Sequence, residues 1–466
     1  MAGTRLHGAR TYRPEGYRIM KAHEPSFWVT TAPPYTPNPP LRGEHRTDVV
    51  IIGAGFSGLS TAFHLKQVDP GCDVVVLEAE YVGYGASGRN GGFSMTVFGV
   101  SLTVTHMLHG TARTREAYRY MVDAVAYLEH LVQKHGLDCD FERSGFLRVA
   151  TTPEYVRRIQ REMELAYRIG LDGIEWWDQR QVQEAVHSPL FLGGWWESRC
   201  ALVNPAKLVR ELKRIAEAAG ARIYEHTPVT AVYDRPGGVT VYVPHGRIRA
   251  EKVVFATNAW SHRLPWIRQL QVPAWTYMVA TEPLTDEQWQ TLGWKQRMGI
   301  EDARNLIHYF RPSPDGRLLM GGGPVLLRFG RNMRPDRDAR AFRHLQDFIR
   351  RLFPQLTNVR LTHHWGGPFS ATLDLVPAIG YVRDRRGVYN VGCLGHGVSL
   401  MPSNGRILAD LVLDRRTTWT EMWFVNRRAW PWPPEPLRWM FGHLVKGYFT
   451  LEDWWHERQG LGRRRI

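Results

Sequence analysis

The chain has 466 residues, 43% hydrophobic and 23% charged, with a formal net charge of +15. This is the composition of an ordinary soluble globular protein with core enough for two domains. No apolar run approaches the roughly 18 residues of a membrane span, the segment Met1–Met20 holds four arginines and no apolar stretch of a secretory signal, and the cysteines (Cys72, Cys139, Cys200, Cys393) lack CxxC or metal-ligand spacing, so a cytoplasmic protein with reduced thiols and no bound metal is expected.

The positive charge is scattered, and only Arg463–Arg465 cluster. No nucleic-acid partner is therefore expected, although action on modified tRNA stays open as a rival reading. Residues 1–45 are rich in polar groups and proline (Pro33, Pro34, Pro37, Pro39, Pro40) and predict an extended arm with little regular structure.

The apolar run Val49–Ile52 then ends in glycines, and a helical pattern through Leu59, Ala62, Phe63 and Leu65 begins at once. That pattern predicts a buried parallel strand, a tight turn and a helix N-terminus. The spacing Gly53-x-Gly55-x-x-Gly58, with Phe56 and Ser57 inside it, fits a dinucleotide fingerprint. Gly53 permits the turn, Gly55 lets backbone approach a pyrophosphate, and Gly58 lets helix and strand pack closely. The next apolar run ends at Glu78, followed by Ala79, 20 residues after Gly58. A carboxylate there can accept both hydroxyls of an adenosine ribose.

A second glycine-rich loop at 83–92 carries Gly85, Ala86, Ser87, Gly88, Arg89, Asn90, Gly91 and Gly92. Helical periodicity follows at about 112–135, a strand at Phe146–Ala150, a helix at about 153–168, and an aromatic stretch at Trp176 and Trp177. Asn204-Pro205 reads as N-cap and first helical position of a helix ending at Gly220. Strands are predicted at Ala221–Glu225, Val229–Tyr233, Val239–Val243 and Lys252–Ala256, the last running into Thr257.

From about 266 to 360, alternating segments (Ala274–Glu282, Leu306–Arg311, Arg317–Met320) predict half-buried antiparallel strands, with a helix at about 336–352. Val388–Val391 leads into Gly392–Gly397 and a helix at about 398–413, a second strand–glycine loop–helix unit. The predicted class is α/β: a discontinuous Rossmann-like dinucleotide domain with an inserted antiparallel-sheet substrate domain. The division runs 1–45 arm; 46–95, 196–265 and 361–415 dinucleotide-binding; 96–195 and 266–360 substrate domain; 416–466 tail. The tail holds seven of the 18 tryptophans and an apolar stripe (Leu437, Met440, Phe441, Leu444, Val445, Tyr448), which either docks on its own domain or lies on a membrane surface.

A dinucleotide domain broken by a second domain suits FAD, whose redox ring then sits between the two. The segments GAGFSG (53–58), GYGASGRNGG (83–92), ATNAW (256–260), RLLMGGG (317–323) and GCLGHGVSL (392–400), with Glu78, resemble the FAD-dependent D-amino-acid-oxidase superfamily. Within it, the second loop and the GHGV turn are most similar to those of γ-glutamylputrescine oxidases. The resemblance implies FAD contacts from the residues of the two glycine loops, from Glu78 and Ala79, from Val229 at the adenine, and from Ala256 and Thr257. It also implies that Gly395, His396, Gly397 and Val398 form a turn and helix aimed at the flavin pyrimidine, where a helix N-terminus stabilises negative charge.

His396 would act there through its ring or only its backbone. Tyr309 and Arg311 match a strand facing the active site in relatives. Arg311 would hold a substrate carboxylate, or else pair with an acid such as Asp315. Trp365 would wall an amine pocket, or else pack in the core. No cysteine stands at Gly321–Gly323, so FAD is expected to be non-covalent.

The implied activity is oxidation of the C–N bond of a small amine or amino acid, with a γ-glutamylputrescine-like amine favoured. Hydride passes to flavin N5, the imine hydrolyses, and O2 reoxidises the flavin to give H2O2. A dehydrogenase that passes electrons to a quinone or carrier protein, and a non-catalytic flavin-binding protein, remain the other readings.

Overall fold

Two eight-stranded sheets carry the chain, and each is assembled from segments far apart in sequence. The structure, a computed structural model, describes residues 25–235, 237–330, 332–333, 337–382 and 385–462. The first sheet runs, in spatial order, Ala378–Val382, Gly387–Val391, Gly246–Phe255, Gly43–Ile52, Val74–Leu77, Arg222–Tyr224. All neighbours are parallel except the edge pair Ala378–Val382 with Gly387–Val391. A hairpin of Ala231–Arg235 and Gly238–Val243 joins it along Gly246–Phe255.

The continuous apolar runs follow from burial on both faces. Val49, Ile51, Val74 and Val76 pack beneath the helices Phe56–Val68, Pro205–Ala218 and Gly397–Val412. Val50, Ile52, Val75 and Leu77 pack against Val232, Val239 and Val241 of the hairpin. Asn204 caps its helix as read, its Oδ1 accepting from Ala206 and Lys207 N–H.

The second sheet runs Leu361–Ala371, Val272–Thr281, Leu318–Gly322, His308–Pro312, Gly299–Asp302, Phe146–Val149, Gly193–Glu197, Glu175–Asp178. It departs from expectation in three ways. Its middle junction, Gly299–Asp302 with Phe146–Val149, is parallel and stitches the two inserted stretches of chain together. Leu361–Ala371 pairs along Val272–Thr281, so the sheet extends past the boundary expected at residue 360. Its central strands are buried on both faces, not one. One face packs Leu147, Ile300, Phe310 and Met320 on the helix Ala339–Leu352. The other carries a cross-strand row Arg148, Glu301, Tyr309, Gly321, Met278, Trp365, which lies under the site described below.

The helix expected at about 112–135 begins at Leu102, beyond a break at Gly110 (φ 77°). That break interrupts the periodicity by which the helix was read. Within the expected arm, Phe27–Thr31 is a short helix and a strand starts at Gly43. Residues 1–24 of the arm lie outside the described residues. Among the described residues, no helix is long and apolar enough to cross a membrane.

Candidate cofactor and substrate site

One cavity of about 690 Å³ runs from the carboxyl ends of the parallel strands to the row on the second sheet. At its first end the fingerprint loop is shaped by contacts that only glycine tolerates. A Cβ on Gly58 would lie 1.9 Å from the Gly53 carbonyl oxygen, and one on Gly53, at φ +107°, would lie 2.6 Å from that of Ala256. Gly53, Gly55, Phe56 and Ser57 line the cavity, with Ala256 and Thr257 beside them and Val229 at the far wall.

Glu78 and Ala79 close this end. The Glu78 carboxylate accepts from Ala54 N–H at 2.8 Å and Glu80 N–H at 3.1 Å. Burial pushes its pKa up, and those two N–H groups pull the other way. Asn390 Nδ2 donates to Ser57 Oγ at 3.0 Å, tying the fingerprint helix to a strand far away in sequence.

The second loop lies alongside. Ser87 Oγ accepts from Phe56 N–H at 3.0 Å, joining the two glycine loops. Gly85, Ala86, Ser87, Asn90 and Gly91 line the cavity. Asn90 holds the loop from within, its Nδ2 donating to Ala86 O and its Oδ1 accepting from Gly92 N–H. Gly395, His396, Gly397 and Val398 enter from the opposite wall as the start of the helix Gly397–Val412. This helix and Phe56–Val68 both begin at the cavity with no side-chain cap from their own N-cap residue, so their partial positive charge is available to an anionic group.

His396 Nδ1 lies 2.9 Å from Gly99 O. A carbonyl only accepts, so the proton sits on Nδ1 and Nε2 is left as acceptor. Burial pushes the His396 pKa down to about 4, so the ring is neutral at pH 7.

At the other end, Tyr309 lines the cavity, with burial pushing its phenol up to about 12. Its ring has room because position 321 is glycine, where a Cβ would come 2.5 Å from it. Gly58, Gly88 and Gly92 are absent from the lining and act instead in packing. A Cβ on Gly88 would meet Gly83 O at 2.2 Å, and one on Gly92 would meet Val203 O at 2.2 Å.

Arg311 and Trp365 do not reach the cavity, and the expectation of substrate contact is corrected for both. Arg311 is 1% exposed. Its Nη1 donates to Val203 O at 2.8 Å and Gly92 O at 3.2 Å, and its guanidinium lies over the Trp28 ring. Asp315, the alternative partner, pairs with Arg317. Trp365 is 1% exposed and donates Nε1–H to Arg89 O at 2.9 Å. Trp28 donates to Asn90 O at 2.7 Å. All three side chains therefore brace the second loop from behind.

Sequence reasoning missed Thr276, Glu301, Asn305, Trp260 and Lys446, which also line the cavity. Trp260 ends the segment ATNAW (256–260) but was not singled out within it; the other four sit in no motif, and Thr276 and Glu301 come to the site only through sheet register. The tail helix Leu437–Gly462 splits the stripe that the sequence shows as one face. Phe441, itself part-exposed, and Val445 line the cavity, whereas Leu437, Met440, Leu444 and Tyr448 are exposed and do not, Leu444 by 71%. Asp453 anchors this helix, accepting from Tyr155 Oη and from Asn305 and Leu306 N–H.

A family model described as FAD dependent oxidoreductase matches residues 48–411, which holds both glycine loops and all of both sheets but the start of the strand Gly43–Ile52. The chain belongs to the FAD dependent oxidoreductase (DAO) family. It is 29% identical over 437 residues to a gamma-glutamylputrescine oxidoreductase of Escherichia coli (strain K12), covering 93% of this chain and 99% of the relative. It is 26% identical over 395 residues to a glycine oxidase of Bacillus licheniformis, covering 82% and 98%. The crystal structure of glycine oxidase from Geobacillus kaustophilus superposes with a TM-score of 0.69 at 24% identity, covering 82% of this chain and 99% of that one, and shares the fold.

As a DAO-family enzyme the chain is an FAD-dependent oxidoreductase. The site fits that cofactor on its own terms: a glycine cradle that a Cβ would fill, a carboxylate 20 residues on, and two helix N-termini without a cap from their own N-cap residues share one elongated cavity. The four cysteines are buried and unpaired.

Proposed function

We propose that this family member oxidises the C–N bond of an amine or amino acid, with a γ-glutamylputrescine-like amine favoured as substrate and O2 as the acceptor. The observation that carries the reading is the single cavity joining a dinucleotide cradle to a chamber walled by Tyr309, Thr276 and Glu301. Similarity along nearly the whole chain to a gamma-glutamylputrescine oxidoreductase supports an amine over other donors.

The two glycine loops, Glu78 and the turn at 395–398 would hold FAD without a covalent link, and the bound cofactor would supply the two-electron chemistry for oxidising the carbon beside nitrogen. The residues supply position and electrostatics. The N-terminus of Gly397–Val412 stabilises negative charge gathered at the cavity wall. Neutral His396 adds no competing positive charge and orients through Gly99. The phenol of Tyr309, kept protonated by burial, offers a hydrogen-bond donor at the substrate end. The reacting amine must be deprotonated, so turnover rises with pH.

An anaerobic absorbance titration of the yellow holoenzyme with a panel of amines tests this reading. Bleaching by one amine, followed by fast recovery and peroxide in air, is the expected result. Slow recovery in air replaces oxidase by dehydrogenase, and a protein unable to bind FAD overturns the reading entirely.

A further inference from the structure

The cross-strand row on the second sheet places at the cavity one carboxylate that accepts no hydrogen bond among the described residues. Glu301 is 8% exposed, lines the cavity, and together with Val100 also borders an adjoining space of about 60 Å³. Its nearest cation, Arg148 Nε, stands 3.6 Å away, beyond hydrogen-bond distance, and that Nε has no acceptor among the described residues.

Arg148 is committed elsewhere, its Nη1 donating to Glu162 at 2.7 Å. The trio of Arg148, Glu162 and Glu301 therefore holds two carboxylates to one guanidinium. The neighbouring acid Asp302 gives no relief, being taken up by Arg304 and His308. A buried carboxylate lacking both hydrogen bonds and a full counter-charge is costly, and a cation arriving through the cavity removes that cost. Tyr309 stands directly across the strand pair from Glu301, so a ligand nitrogen at the carboxylate also lies beside the phenol.

We propose that this end of the cavity is a subsite for a protonated amine, in which the Glu301 carboxylate is the direct partner of the substrate nitrogen and takes its proton as the amine settles. The inference rests on the reading of the chain as an amine-oxidising flavoenzyme and deepens it. In the step, one N–H bond of the ammonium breaks and one O–H bond forms on Glu301. The nitrogen lone pair is freed, and no other reactant is needed. Burial pushes the Glu301 pKa up to about 7, with Asp302 and Glu162 adding to the rise and Arg148 opposing it, so the group can hold or release a proton near neutrality.

The titratable and charged groups facing it are Arg148 on its parallel neighbour, Glu162 on the helix Pro153–Arg168, Glu197 on Gly193–Glu197 and Tyr118 on the long helix. Tyr309, Cys200 and Asp302 complete the set. Glu197 is itself pushed up to about 7 by burial, while Thr96 and Tyr118 hydroxyls donate to it, so it carries at most part of a second charge.

Two measurements on the FAD-loaded full chain test the subsite. In the first, wild-type protein is titrated with tert-butylammonium, which has no hydrogen on the carbon beside nitrogen and cannot be oxidised, and with neutral tert-butanol, following the flavin absorbance. The cation is expected to bind at least about tenfold more tightly. Equal binding overturns the subsite even if some amine proves a substrate. In the second, Glu301→Gln is expected to weaken amine binding at least about tenfold and to move the acidic limb of the flavin-reduction rate upward by more than about one pH unit, while Glu301→Asp partly restores both. Unchanged affinity and pH profile in Glu301→Gln, at wild-type FAD content, overturn the proposal. If no amine reduces the flavin, the functional reading fails, and the tert-butylammonium titration still decides the subsite.

Discussion

The two ends of the cavity each present a carboxylate, and the protein treats them in opposite ways. Glu78 is gripped by the backbone N–H groups of Ala54 and Glu80 in a turn that glycines make possible. Those donors hold it in one orientation and offset its charge without a cation. Glu301 stands on a strand among side chains, with no hydrogen bond among the described residues and an ion pair at 3.6 Å to a guanidinium it shares with Glu162. The difference teaches that backbone donors suit a carboxylate for a permanent guest. A carboxylate left short of partners is suited to a guest that comes and goes with its own charge.

Substitutions can break this comparison, and the largest effects are expected where a glycine touches backbone. Gly58→Val drives a side chain into the Gly53 carbonyl, which cannot yield without parting strand from helix. It should purify colourless, as read by the flavin-to-protein absorbance ratio. Gly321→Val, at the other end, runs first into the Tyr309 ring. It should keep FAD and lose turnover by about tenfold or more; loss of FAD as well would show that the two ends do not act separately.

Glu78→Gln should weaken FAD by roughly tenfold, the loss of a charged acceptor, and leave the KM for amine unchanged. That is the reverse of the pattern expected for Glu301→Gln, and equilibrium dialysis of FAD alongside steady-state kinetics separates the two. Arg311→Met strands the carbonyls of Val203 and Gly92 and should lower stability by about 2–3 kcal/mol. The preference between carboxylated and plain amines should not move, since Arg311 does not reach the cavity.

The smallest effect is in pH. Burial holds His64 down at about 3 and His344 and His396 at about 4. Each takes up a proton in the unfolded chain below about 6.5 but not in the folded one. Stability from these groups is therefore present above pH 6.5 and is lost as pH falls from there toward 4. Glu197 and Glu301, held up at about 7 by burial, take up protons in the folded chain first and offset much of this, so thermal unfolding at pH 5 should show a net loss on the order of 1 kcal/mol relative to pH 7.5.

How much of this could be read in advance depended on how locally each feature is encoded. The fingerprint at 53–58, Glu78, the loop at 83–92 and the turn at 395–398 are short segments whose glycines and apolar runs carry their own geometry. The structure brings these segments to one cavity, with Gly58, Gly88 and Gly92 packing behind its wall. Glu301 sits in a four-residue strand with no distinctive pattern, and its place in the cavity is set by pairing with Arg148 and Tyr309, both distant or across a hairpin. Arg311 was recognisable as a strand arginine near the site, but alternation alone does not say which neighbour lies behind a given face. Register with Leu319 and the path of the loop at 91–92 put carbonyls there in place of a ligand. Trp365 was legible as apolar and not as a brace, because its partner is a backbone oxygen.

The parallel junction in the second sheet also bears on how the protein is made. While the ribosome is still reading residues before Gly299, the strands Phe146–Val149, Gly193–Glu197 and Glu175–Asp178 form a three-stranded fragment whose edge at Phe146–Val149 has no neighbour. Such an edge is a template for unwanted pairing, and its proper partner arrives only after most of the first sheet has been synthesised. Nascent chains stalled just short of residue 299 should bind chaperones and yield readily to protease, and chains stalled well beyond residue 322 should resist it.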